Sequence, residues 1–134
     1  MVRFWANNVV VDDSDEEFIA VGFAEELAEE PDGQTRESLT LQRAYEFDES
    51  DVAAGLDQVY IERTGQGRCG YGGILRFDLH RDRVVIEVDS RMAGRLGDHQ
   101  FEIEFHLDEP GFLDLRAGLQ AVFRGFSCFV ESHA

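Results

Sequence analysis

The sequence predicts an α+β fold: a mainly antiparallel sheet of about seven strands with a C-terminal amphipathic helix packed on one face. Three observations predict it. Segments that alternate apolar and polar residues fill the first two-thirds of the chain. One helix-period stripe of apolar residues stands near the C-terminus. Between them no alternation of strand and helix points to a parallel βαβ unit. The 134 residues suit one domain, 1–134, without internal repeats. A hydrophobic content of 43%, with eleven Phe, supplies a core and is too rich for a disordered chain.

Val2 to Asp12 is rich in β-branched and aromatic residues and reads as a strand, ending at the acidic turn Asp12-Asp13-Ser14-Asp15-Glu16-Glu17. Phe18 to Phe23 returns antiparallel. Ala24 to Arg36, with four Glu and a Pro-Asp-Gly turn, reads as an exposed, mobile loop. Ser38 to Phe47 alternates, placing Leu39, Leu41, Arg43, Tyr45 and Phe47 on one face. Asp48 to Gly55 reads as one or two helical turns, with Asp48 or Ser50 as N-cap and Gly55 as terminator. Gln58 to Arg63 is a strand with Val59 and Ile61 opposite Tyr60 and Glu62. The stretch Thr64 to Gly73, the most glycine-dense of the chain, reads as a loop.

Ile74 to His80 and Val84 to Asp89 are two strands joined by a tight Arg81-Asp82 turn. Ser90 to Gly97 forms a short helix with Met92, Ala93 and Leu96 on one side. Gln100 to Leu107 alternates strictly, with Phe101, Ile103, Phe105 and Leu107 inward and His106 outward. The long helix starts at Asp108, an N-cap followed by Glu109 and Pro110. Phe112, Leu115, Leu119, Val122 and Phe126 make its stripe, widened by Leu113 and Phe123.

Charge is the strongest compositional feature. Twenty-eight acids against twelve bases, all arginine, give a formal charge of −16. A phosphate backbone would be repelled, so nucleic acid is not an expected partner. A basic protein would be steered in, over a range that salt limits to about 8 Å. Acidity for solubility and acidity for high salt remain open beside that reading. No apolar run reaches the roughly 18 residues of a membrane span, and the N-terminus lacks the apolar region of a signal peptide. Cys69 and Cys128 match no metal or redox spacing and read as reduced thiols of a cytoplasmic protein.

Reactive chemistry finds little support. Gly65-Gln66-Gly67-Arg68-Cys69-Gly70 matches the dinucleotide fingerprint in letters, but a strand follows where phosphate binding needs a helix N-terminus. The Asp12–Glu17 run lacks the bidentate acid of a calcium loop at its twelfth position. His80, His99, His106 and His133 are scattered without ligand spacing. Cys69 has no local signature of a nucleophile. The expectation is therefore no catalytic residue, no cofactor and no metal.

What remains is a surface. Asp48, Glu49 and Asp51 lie in the chain between Tyr45 and Tyr60, followed by Glu62, Arg68 and Tyr71. These eight residues are either ordinary caps and core tyrosines or the contact patch for a basic protein, since tyrosine supplies interface area at low entropic cost.

The order of segments resembles the immunity protein 10 family of bacterial polymorphic toxin systems. The resemblance rests on Phe4 to Val11, Val21-Gly22-Phe23, Leu41-Gln42-Arg43, Glu46-Phe47-Asp48-Glu49-Ser50-Asp51 with Gly55, Tyr60-Ile61-Glu62, Gly70-Tyr71-Gly72-Gly73-Ile74 and Arg81-Asp82-Arg83-Val84. The final amphipathic helix fits as well. The acidic Glu25 to Arg36 insert is longer than the family pattern. Such a family implies a cytoplasmic antidote that blocks a cognate toxin by occlusion, so no catalytic residue carries over; the sequence leaves monomer and homodimer both open. The other reading is an acidic cytosolic adaptor, or a nucleic-acid mimic aimed at a host nuclease or regulator.

Overall fold

The computed structural model describes residues 1–26, 35–64 and 67–132. The middle of the expected acidic loop (27–34), Gly65 and Gln66 of the glycine-rich stretch, and His133 lie outside the described residues. The architecture is α+β, with ten strands among the described residues in two open sheets rather than about seven in one. In chain order the elements are β1 (Val2–Ala6), β2 (Asn8–Asp12), β3 (Phe18–Glu26), β4 (Thr35–Ala44), α1 (Glu49–Ala53), β5 (Tyr60–Arg63), β6 (Cys69–Tyr71), β7 (Ile74–Leu79), β8 (Arg83–Val88), α2 (Ser90–Leu96), β9 (Gln100–Phe105), α3 (Glu109–Val122) and β10 (Phe129–Glu131). The first sheet has the order β1-β9-β8-β7-β10 and the second β2-β3-β4-β5-β6.

The expected strand Val2 to Asp12 is two strands in two sheets, and Asn7 is the cause. Its side-chain amide donates to the Glu26 carbonyl and accepts from the Glu26 N–H, each at 2.9 Å. A side chain thus takes the place of a backbone pair, and the chain leaves β9, which β1 joins in parallel, to pair antiparallel with β3. Residues on both sides of Asn7 have strand composition, so alternation alone shows no break. Three further expectations are corrected. Cys69–Tyr71 is a strand paired with β5, although glycines surround it. Phe129–Glu131 adds a short parallel strand beside β7. The ends of the expected acidic loop, residues 24–26 and 35–36, belong to β3 and β4.

Inward residues of both sheets meet in one buried cluster that also takes in α2 and α3. Val21 and Phe23 of β3, Leu39 and Leu41 of β4, and Ile61 of β5 are fully buried from the second sheet. Phe77, Ile86, Phe101 and Ile103 are fully buried from the first. Phe23 and Phe105 meet across the two at 6.2 Å. Each such side chain contributes roughly 1.5–3 kcal/mol of transfer free energy.

Helix α3 crosses the inner face of β2, β3 and β4. Asp108 caps it by accepting from the Gly111 N–H at 2.9 Å. Phe112, Leu115, Leu119 and Val122 are buried as the stripe predicts. Leu113 is instead 48% exposed, because one stripe about 100° wide cannot turn both neighbours inward. Gly118 is buried at the crossing, where an added Cβ would stand 2.7 Å from a Val11 methyl. The C-terminal end is held by two arginines. Arg43, which alternation places inward on β4, is only 6% exposed and donates to the Val122 and Arg124 carbonyls at 2.9 and 3.0 Å. Its guanidinium lies over Phe126, which is past the helix end. Arg124 donates to the Ala121, Ala44 and Tyr45 carbonyls, so the strand and the helix end are tied together.

Candidate functional site

Two acidic turns meet at one end of the second sheet. In the β2–β3 turn Asp12 accepts from the Ser14 N–H and hydroxyl, and Asp15 accepts from the Glu17 N–H. These short local bonds hold the turn in shape without using Glu16 or Glu17 side chains. The Tyr45 N–H donates to the Glu17 carbonyl at 2.9 Å, which brings the exit of β4 against this turn. Glu16, Glu17, Ala44, Tyr45 and Glu46 line an open cleft of about 480 Å³ there.

The chain continues into α1 through a reciprocal cap. Asp48 accepts from the Asp51 N–H at 2.9 Å and from the Ser50 hydroxyl at 2.8 Å, while Asp51 accepts from the Asp48 N–H at 3.0 Å. The bonds from the Asp51 N–H and the Ser50 hydroxyl hold the Asp48 carboxyl below the usual carboxylate range. Asp48 and Asp51 therefore shape this turn. Glu46 and Glu49 are exposed and, among the described residues, have no ion pair or hydrogen bond through their side chains.

From α1 the chain enters β5 at the same end of the sheet, because Tyr60 stands opposite Gln42 near the exit of β4. Tyr60 faces Tyr71 across the β5–β6 ladder, with ring centroids 5.2 Å apart at 60°. Both lie on the outer face of the sheet. Tyr71 is 41% exposed and Tyr45, at the β4 exit, 39%. A bond to the Cys69 thiol, burial and the nearby Glu62 push the Tyr60 phenol well above its ordinary range, so it stays neutral. Glu62 is two residues along β5, about 7 Å away, exposed on the same face. Arg68 does not join the group: it sits in the β5–β6 connection and donates to the Thr64 carbonyl at the far end of the ladder. Of the eight residues expected from sequence, Tyr45, Asp48, Glu49, Asp51, Tyr60 and Tyr71 gather at one end, Glu62 borders them, and Arg68 stands apart.

Beside Tyr71 is a feature that sequence reading missed. Ala54, Gly55, Gln58, Gly70–Gly73, Arg91 and Arg95 line a cleft of about 440 Å³. Arg91 donates to the Tyr71 carbonyl at 2.9 Å and Arg95 reaches the Cys69 carbonyl at 3.5 Å. These carbonyls belong to the non-hydrogen-bonded positions of β6 and so point off the sheet edge. The arginines thereby cover an edge that would otherwise be open to another strand. The signal was present as an i, i+4 arginine pair, but its neighbours in space are supplied by a strand twenty residues earlier.

Among the described residues no group of three or more His, Cys, Asp or Glu is arranged to hold a metal ion, and no helix is long and apolar enough to cross a membrane. Cys69 is half-buried against Tyr60, and burial raises the Cys128 thiol.

Against known families, the model of immunity protein 10 matches residues 5–113 of the chain. The chain belongs to the immunity protein 10 family. The match takes in both acidic turns, the tyrosine pair, the arginine cleft and the first turn of α3. The rest of α3 and β10 lie beyond it. No curated protein and no solved structure matches the chain. Membership gives this immunity protein 10 member a role in toxin immunity.

Proposed function

We propose that this member of the immunity protein 10 family neutralises a cognate, basic toxin domain in the cytoplasm by binding it, without chemistry of its own. The contact is made by the acidic end of the second sheet: Glu46 and Glu49 beside the α1 cap, with Tyr45, Tyr60 and Tyr71 as the apolar centre and Glu62 at the border. The observation that carries this reading is the meeting of two acidic turns and three tyrosines at one end of a sheet, in a chain of formal charge −16. Negative potential steers a cationic partner, and tyrosines released from water supply the affinity. The outer face beside them carries small side chains, Ala20, Gly22, Ala24, Ser38 and Thr40, over a trough of about 270 Å³, which lets a convex partner approach the backbone.

Co-expression with the toxin domain encoded beside this chain tests the proposal. Growth is expected to be restored, and the two proteins to elute together on gel filtration. Continued toxicity at full expression of folded protein overturns it.

A further inference from the structure

We infer that the cleft between α2 and the Gly70–Gly73 segment receives a carboxylate side chain of the toxin, so that the acidic surface carries one cationic socket. The inference rests on the neutralisation proposed above and adds a contact of opposite sign. In a chain with more than two acids per base, carboxylates are available nearly everywhere. Arg3, Arg76, Arg81 and Arg83 on the first sheet each have one within 4 Å. Arg91 and Arg95, one helical turn apart on α2, have none among the described residues. Two like charges at this spacing repel, yet among the described residues no carboxylate pairs with either. Each spends a single N–H on a carbonyl of β6, leaving most of its donor fork for a ligand.

The glycines keep the floor bare. At Gly70 a Cβ would press within 3.2 Å of the Arg95 side chain, and at Gly72 it would stand 3.7 Å from an Arg91 terminal nitrogen. Gly72 and Gly73 have φ of 76° and 81°, so side chains are disfavoured there on backbone grounds too. Planar, bidentate donors on a bare floor match a carboxylate. On an otherwise acidic surface such a socket fixes orientation: a basic toxin docked the wrong way would set its acids against Glu46 and Glu49.

The test measures dissociation of the purified complex with the toxin domain encoded beside this chain, using Arg95→Ala, the double variant Arg91→Ala/Arg95→Ala, and Arg91→Lys/Arg95→Lys. Arg95→Ala is expected to speed dissociation roughly tenfold and the double alanine variant roughly a hundredfold, with the lysine variant between wild type and double alanine. Alanine replacement of each toxin Asp and Glu should reveal one position whose loss costs nothing further in the double-variant background. Arg91 supports β6, so if its variant melts lower, Arg95→Ala alone decides, its own bond being long. Wild-type dissociation by Arg95→Ala, or loss without a coupled toxin carboxylate, overturns the socket while leaving neutralisation standing. Failure of the wild-type protein to bind the toxin at all removes both readings.

Discussion

On the outer face of the first sheet, Arg3 and Arg83 both reach Glu102, Arg83 also reaches Asp82, and Arg76 reaches Asp78. On the second sheet the acids at its exposed end, Glu46 and Glu49, have no ion pair among the described residues, and Arg43 and Arg124 are spent on main-chain carbonyls. The two inner faces share fully buried aliphatic and aromatic side chains, to which the second adds the buried Arg43. The contrast separates two uses of charge. Charges paired as at Glu102 and Asp78 satisfy each other and leave little field, whereas those left unpaired together at one end, Glu46 and Glu49, leave potential for a partner.

The largest test concerns the likeness of the inner faces. Ile61→Ala in the second sheet and Ile103→Ala in the first should each lower stability by about 2–5 kcal/mol. Urea unfolding should remain a single transition in both; two separate transitions would split the shared core. Next comes the seat of α3 on the second sheet, where it crosses β2 to β4. Replacing a mid-helix glycine by alanine ordinarily gains about 1 kcal/mol. Gly118→Ala should instead lose about 1–3 kcal/mol, because the new methyl meets Val11 on β2. A gain in urea midpoint would show that the helix can lift.

The outer faces are compared by association rate. Glu46→Arg with Glu49→Arg should slow toxin association roughly tenfold at low salt, with the difference fading as salt rises. Arg3→Ala with Arg83→Ala should leave the rate unchanged and cost under about 1 kcal/mol of stability. Equal effects from both sheets would erase the distinction between their charges. The smallest effect belongs to the α1 cap. The folded Asp48 carboxyl titrates below its ordinary value of 3.8, so the stability it lends is present above that value and is lost as pH falls through the lower folded one. The gap in urea midpoint between wild type and Asp48→Ala should therefore be steady above about pH 5 and narrow below 3.8. A gap that widens on acidification would contradict the bonding at the cap.

How far the site was legible depends on how local its causes are. The Asp48 cap needs only Ser50 and Asp51, whereas the tyrosine pair exists only because Cys69–Tyr71 is a strand beside β5, which its glycine-rich surroundings hide. Leu113 was misread because helical spacing gives the width of a stripe only roughly, and packing against β2 to β4 sets its edge. Arg91 and Arg95 can be placed on a helix from sequence but not against a cleft, since glycine density makes the segment 70–73 read as loop.

Alternation, capping and charge are properties of neighbours in the chain. They alone determined the α+β class, α2, α3 with its cap, the β2–β3 hairpin and the acidic excess, because backbone geometry repeats every two or 3.6 residues whatever lies elsewhere. The division into two sheets, the parallel pairing of β1 with β9, and the arginine cleft were decided by the tertiary structure. Each depends on contacts between distant segments: Asn7 with Glu26, Phe4 beside Ile103, Arg91 on Tyr71. Such partners leave no periodic trace in a single chain, for the free energy that selects them exists only once both segments are in place.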